Sequence, residues 1–291
     1  MTETHTRRQF IAGSAAAVGT SLALFGLDEG ARAAGPVDPA ADTVSASYPS
    51  TDPDLVREVV GASHARFDRV KELVTARPEL AKASYDWGFG DWESAIGAAS
   101  HVGRRDIVEL LLEYGARPTL FTHVMLGHLD VVRATIEASP GIQRAPGPHG
   151  ITLLKHARNR LQHPDVSDTE RVEVGRVIEY LEKLGDADQG PKSLEISAAE
   201  KAVYEGTYRF GPGDSDIFVV EVNRRGALMM QRGTLVARGL HRVETHAFTP
   251  AGAPSVRIRF DVDAEGKSAI RLSIHDPEPI LVATRAKTQK S

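Results

Sequence analysis

The chain has 291 residues, 41% of them apolar and 25% charged, with a net charge of -4 and no cysteine. This balance leaves no electrostatic footprint for nucleic acid and no polybasic run for an anionic membrane. The missing cysteine excludes disulfides, thiolate zinc sites, iron–sulfur clusters and a cysteine nucleophile, while the length allows two ordinary domains.

The first 33 residues carry an address. Arg7-Arg8, then Phe10, then an apolar run from Ile11 to Leu27 diluted by Gly, Ser and Thr, ends at the small-x-small Ala31-Arg32-Ala33. This pattern resembles a twin-arginine export signal, with Ala12 where such signals usually have Lys. The resemblance implies a protein that folds in the cytoplasm and works in the periplasm or outside the cell. The run is shorter and less apolar than the ~20 residues a bilayer span needs, so the mature chain is expected to have none. Residues 34–51, rich in Pro, Ser, Ala and Asp, read as a linker.

From residue 52 to residue 186 one helical pattern recurs. Asp52 can cap a helix whose first position is Pro53. "ARFDRVKELV" (65–74), "GRRDIVELLL" (103–112) and "GHLDVVRATI" (127–136) each open a helix with one apolar face. A fourth copy, "VGRVIEYL" (174–181), has Gly175 where the others have Asp. Upstream of two of these turns stand Ser94-Ala95-Ile96-Gly97-Ala98-Ala99 and Gly150-Ile151-Thr152-Leu153-Leu154-Lys155-His156-Ala157. These segments resemble the Thr-Pro-Leu-His-x-Ala motif of the ankyrin repeat. The turn spacings of 38, 24 and 45 residues depart from its regular period, with "NRLQHPDVSDTERVEV" read as an insertion in the fourth unit. The resemblance implies about four diverged repeats stacked on one another, presenting a surface to another macromolecule.

In that alignment, "YDWGFGDWESA" (85–95), which holds both tryptophans, becomes the finger between the first two repeats. Trp92 is expected to pack against the neighbouring repeat. Trp87 and Phe89, with Asp91, are the candidate partner-binding residues, since finger tips lie on the binding edge of such stacks and Trp is enriched among interface hot spots.

A second linker, 187–197, precedes a region of period two. A short helix, Ala198 to Tyr204, leads into about eight antiparallel strands, enough to close a small barrel in meander order. The segment from Tyr-x-Gly-x-Tyr (Tyr204 to Tyr208) to Ile274 resembles the lipocalin-like domain found behind the catalytic domain of some penicillin-binding-protein-related serine hydrolases. No Ser-x-x-Lys nucleophile motif accompanies it. The whole chain thus reads as an α + β multidomain protein, similar to exported bacterial ankyrin-repeat proteins with a lipocalin-like domain at 198–291.

Chemistry-bearing patterns are sparse. "DVDAEG" begins like a calcium loop but has Leu272 at the twelfth position, where a bidentate Glu is required, and reads better as a hairpin turn. The histidines between His64 and His275 never take the His-Glu-x-x-His spacing of a helical zinc site, and His64 and His101, just before successive turns, are assigned to helix C-termini. A simple register about Asp263 to Lys267 puts Ile270, Leu272 and Ile274 on the apolar face and sets Arg259 opposite Arg271 with Arg257 nearby, a candidate anion patch unless an acid intervenes. The sequence therefore predicts a non-enzymatic protein-binding scaffold with no catalytic residue, metal or cofactor. The alternative is small-ligand or anion binding by the β domain, with Met229 and Met230 lining a cavity; an accessory role beside a hydrolase ranks lower.

Overall fold

The computed structural model describes residues 47–190 and 192–286; the export signal and most of the first linker lie outside the described residues. Among these residues there are nine α-helices and a closed eight-stranded antiparallel β-barrel. No helix of the described residues is long and apolar enough to cross a membrane.

The helices begin where polar caps and turn residues dictate. Helix α1 (Pro53–Ala62) starts with proline behind Asp52, whose carboxylate accepts from the Asp54 backbone at 2.8 Å. Helices α2 (Phe67–Ala76), α4 (Arg105–Glu113) and α6 (Leu129–Ala138) each start just inside one of the three recurring turns. Helices α3 (Ala95–His101) and α7 (Leu153–Gln162) are capped by Ser94 and Thr152, which explains why those motif positions carry a hydroxyl. Between them lies α5 (Leu120–Met125).

The apolar faces meet in two cores. One gathers Val70, Val74, Ile96, Ile107, Val108 and Leu111 of the first two pairs; the other joins Val124, Val132, Leu153, Val174, Val177 and Leu181. Each such side chain, fully buried, is worth roughly 1.5–3 kcal/mol. Helices α3, α5 and α7 all touch one another, so the pairs close up more tightly than a linear ladder of repeats would. The expected insertion is not a loop: it forms the end of α7, a short turn and the first half of the long α8 (Asp168–Leu184), which opens on a Ser167–Glu170 capping box.

One polar node ties these helices. Arg160 on α7 is 1% exposed, and its guanidinium donates to the Gly103 carbonyl at 2.9 Å, to Asp165 at 2.6 Å and to Glu170 at 2.7 Å. Gly103 adopts φ +77, and a Cβ there would lie 2.9 Å from the Arg160 Cα, so the α3–α4 turn can approach α7 only as glycine.

Helix α9 (Ala198–Tyr204) leads into strands β3 (Gly206–Arg209), β4 (Ile217–Val222), β5 (Leu228–Arg232), β6 (Arg238–Glu244), β7 (Ala247–Pro250), β8 (Arg257–Val262), β9 (Ala269–His275) and β10 (Pro279–Arg285). Each pairs with the next, and β10 closes on β3. Alternate residues point inward, and Tyr208, Phe218, Val220, Met230, Phe248, Ile258 and Phe260 fill the interior. Met229 belongs to the opposite face from Met230, so the two do not line one cavity, contrary to expectation.

The β8–β9 hairpin corrects two further expectations. Its loop runs to Ser268, whose carbonyl accepts from the Asp263 backbone at 2.9 Å, and Ile270 is an extra residue in a bulge. Ile270 is consequently exposed rather than inward, and Arg271 pairs with Asp261 while Arg259 faces Ser273. Arg271 bonds the Asp261 carboxylate at 2.5 Å, Arg259 reaches Glu244 at 3.2 Å, and Arg257 donates to the Pro254 carbonyl at 2.5 Å. With an acid on each opposed arginine, the anion patch is dissolved.

Two outcomes follow for the Arg160 node. Arg160→Ala should cost about 2–4 kcal/mol, read from a lowered urea midpoint at unchanged m, because it empties a buried site, frees the Gly103 carbonyl and leaves Glu170 with only Arg105 at 3.1 Å and Ser167 as partners. Burial alone would raise the Glu170 pKa, but Ser167 and Arg160 outweigh it and hold it at about 2. A depressed folded-state pKa gives stability present above the unfolded value of ~4.3 and lost as pH falls below it. Glu170→Gln should therefore flatten the fall in melting temperature through this acid range.

Candidate metal centre

Strands β1 (Ser84–Asp86) and β2 (Trp92–Ser94) pair as a small hairpin, with Tyr85 opposite Glu93 and Asp86 opposite Trp92. Side chains alternate across such a ribbon, so sending Glu93 into the helices sends Trp92 to solvent. Glu93 is 1% exposed and Trp92 is 64% exposed.

Around the Glu93 carboxylate three imidazoles converge. His101, the last residue of α3, places Nε2 at 3.0 Å from Oε1; His149, in a 3-10 turn before α7, and His64, after α1, place Nε2 at 3.4 and 3.5 Å from Oε2. One ligand atom from each of the four residues lies within 4.8 Å of every other. Four donors at about 2.1 Å from a tetrahedral ion stand roughly 3.4 Å apart, and the histidine contacts to the two Glu93 oxygens fall near that spacing.

The outward sides of these groups are held as metal ligands usually are. Nδ1 of His149 donates to Asp91 at 2.7 Å, and Nδ1 of His64 donates to the Gly61 carbonyl at 3.2 Å. The Trp87 indole donates to Glu93 Oε2 at 2.7 Å. Asp91 also accepts from the His149 backbone at 2.9 Å and forms an ion pair with Arg238 of β6, which itself donates to the Ala251 carbonyl. Thus the barrel fastens the carboxylate that orients a ligand histidine. Gly252 presses on the same group: a Cβ there would fall 2.3 Å from Asp91 Oδ1.

The electrostatics follow from crowding opposite charges out of water. Burial alone would lower the His149 pKa, but hydrogen bonds to Asp91 and Glu93 outweigh it and raise it to about 9. Burial alone would raise the Glu93 pKa, yet His101 and His149 hold it well below the usual carboxylate range. Burial lowers the pKa of His64, which favours the neutral form that binds a metal. Without an ion, Asp91, Glu93, Arg238 and protonated His149 sum to zero charge, and an ion entering the cluster displaces the His149 Nε2 proton.

The donor set fits a divalent transition ion. Glu93 Oε1 and His101 Nε2 lie 3.0 Å apart, within ion-pair reach, yet both are buried without a well-formed hydrogen bond. Buried polar atoms are seldom left so. An ion between them would satisfy both, and three imidazoles with one carboxylate suit the zinc class.

The expected partner-binding residues therefore take internal roles. Asp91 is 3% exposed and engaged by His149 and Arg238. Trp87 packs on the helical core and Phe89 on the barrel core, so the finger tip meets the chain's own barrel rather than a partner. Trp92, expected to hold the stack, is the exposed one, walling a cleft of about 500 Å³ with Glu93, Phe121, Pro148 and His156.

The four ligands escaped the sequence because they come from separate segments. A signal existed: stacking brings equivalent positions of successive repeats together, and His64 and His101 have ring centroids 4.9 Å apart. No protein-family model matches the chain, and no curated protein matches it.

Trp87→Ala should lose about 2–4 kcal/mol of stability, whereas Trp92→Ala should stay within about 0.5 kcal/mol. Equal shifts in their melting temperatures would contradict the hairpin's facing.

Proposed function

We propose that the protein is a metal-binding scaffold of the bacterial cell exterior, in which one zinc-class ion fastens an ankyrin-like stack of helix pairs beneath a docked β-barrel. The observation that carries this is the convergence of three imidazole Nε2 atoms on the buried Glu93 carboxylate, with the far side of His149 held by Asp91 and that of His64 by Gly61. Four protein ligands complete a tetrahedral shell and leave no position for substrate, the pattern of a structural rather than a catalytic ion. The role is therefore binding and organisation, not turnover.

The helix pairs starting at the recurring turns, and the hydroxyl caps Ser94 and Thr152, favour the ankyrin-like reading. The short link between the second and third turns accounts for its closed-up geometry. For a protein partner, the surface to consider is the cleft beside exposed Trp92, since a large aromatic at a cleft edge is a typical anchor.

The test is metal analysis of the purified mature chain, followed by calorimetry of the stripped protein with zinc. One ion per chain is expected, with affinity falling by about 100-fold or more in His101→Ala and by about 10–100-fold in Asp91→Asn, the range for an outer-shell partner. Saturating zinc should raise unfolding stability by about 4 kcal/mol at a thousandfold excess over the dissociation constant. A stripped wild-type chain that neither takes up zinc nor gains stability from it would remove the proposal.

A further inference from the structure

At one end of the barrel a cavity of about 350 Å³ is walled from two sides. The barrel supplies Phe218, Met230, Ile274 and Leu281; the β1–β2 hairpin supplies Trp87 and Phe89. The volume lies within the ~300–1,000 Å³ range of small-molecule sites. Around it stand Leu235, Val236 and Ile280, exposed by 53%, 50% and 63%. Singly exposed apolar residues need no explanation, but three lining one opening form a patch of the kind that marks binding.

The hairpin reaches this position at a conformational cost. Phe89 sits at φ 62, a left-handed conformation worth roughly 1–2 kcal/mol of strain for a non-glycine residue. Strain of this kind persists where surrounding contacts over-determine it, and such places are enriched in ligand clamps. Two guanidinium groups also belong to the wall. Arg238 is 7% exposed and its guanidinium is held by Asp91 and the Ala251 carbonyl, so it offers the cavity no free donor, and Asp276 is the acid of the lining. Arg232 lies 5.0 Å over the Phe210 ring, with Asp216 only at 3.9 Å.

From an apolar lining, an apolar rim and the half-exposed Arg232 guanidinium in the wall, we infer that this cavity binds a small apolar molecule carrying one oxygen acceptor, a carboxylate or an ester. The oxygen faces Arg232, and the hydrocarbon lies among Phe218, Met230 and Ile274. This inference stands apart from the ion.

The chain holds two tryptophans, so Trp92→Phe leaves Trp87, in the cavity wall, as the only tryptophan, excited selectively over the tyrosines at the red edge of the absorption band. Zinc-loaded Trp92→Phe protein is titrated with sodium decanoate and, separately, methyl decanoate, with metal content measured on the same samples so that loss of ion and loss of ligand are read separately. A saturable change in Trp87 emission with one ligand per chain, confirmed by calorimetry, is expected for at least one probe. Adding Val236→Arg at the exposed rim should weaken binding about tenfold or more, whereas Arg232→Gln should weaken decanoate alone. Preference for decanoate identifies an acid as the ligand class, and preference for its methyl ester identifies an ester. No saturable response to either probe in folded, metal-loaded protein, or equal affinity in the Val236→Arg background, would overturn the inference.

Discussion

Holding the Glu93 carboxylate out of water costs several kcal/mol unless its surroundings replace the lost hydration. Much of the molecule is arranged to do so. The ends of α1 and α3 and the turn before α7 each send a histidine toward it, Trp87 turns its indole N–H onto it, and Asp91 two residues earlier repeats the problem on the neighbouring side. Arg238 answers that second charge from the barrel. Because each charge is offset by a group from a different segment, this cluster also fixes how those segments meet. Apolar burial in the two helical cores supplies most of the favourable energy, but it would tolerate small slips that the charges do not.

How much of this was legible in the sequence depends on the range of the interaction involved. Caps and periodicities are local, so the Asp52 cap, the helices that open at the recurring turns, the short helix Ala198 to Tyr204 and the strand count could be read directly, whereas Ser94 and Thr152 were legible only as motif positions. A barrel in meander order follows from strands that each pair with the next. The errors arose where one residue decides a face. Trp92 was assigned inward by alignment to a repeat motif, yet the two-residue period of a ribbon couples it to Glu93, and the buried carboxylate takes precedence. Ile270 and the Arg259–Arg271 pairing failed for a similar reason: a longer loop and one bulged residue shift the register, and neither has a distinctive composition.

The candidate centre was the least legible feature. Its ligands lie at 64, 93, 101 and 149, without a shared short motif, and two belong to connecting segments rather than helices. Each histidine by itself has a bland explanation, as a polar group at a helix end. Only the repeat geometry, which superposes positions distant along the chain, makes their coincidence meaningful. The β1–β2 hairpin shows the same economy: its base supplies a ligand, its tip reaches the barrel, and Trp87 is shared between them.

An ion site assembled from four such segments does not exist in the unfolded chain, so metal capture is coupled to folding. Divalent ions compete by availability as much as by affinity, and a nitrogen-and-oxygen donor set does little to refuse copper in favour of zinc. For a chain exported already folded, as the resemblance to a twin-arginine signal implies, the competition would be decided before departure. The identity of the bound metal would then record the ion pool of the compartment where folding took place, not that of the compartment where the protein works.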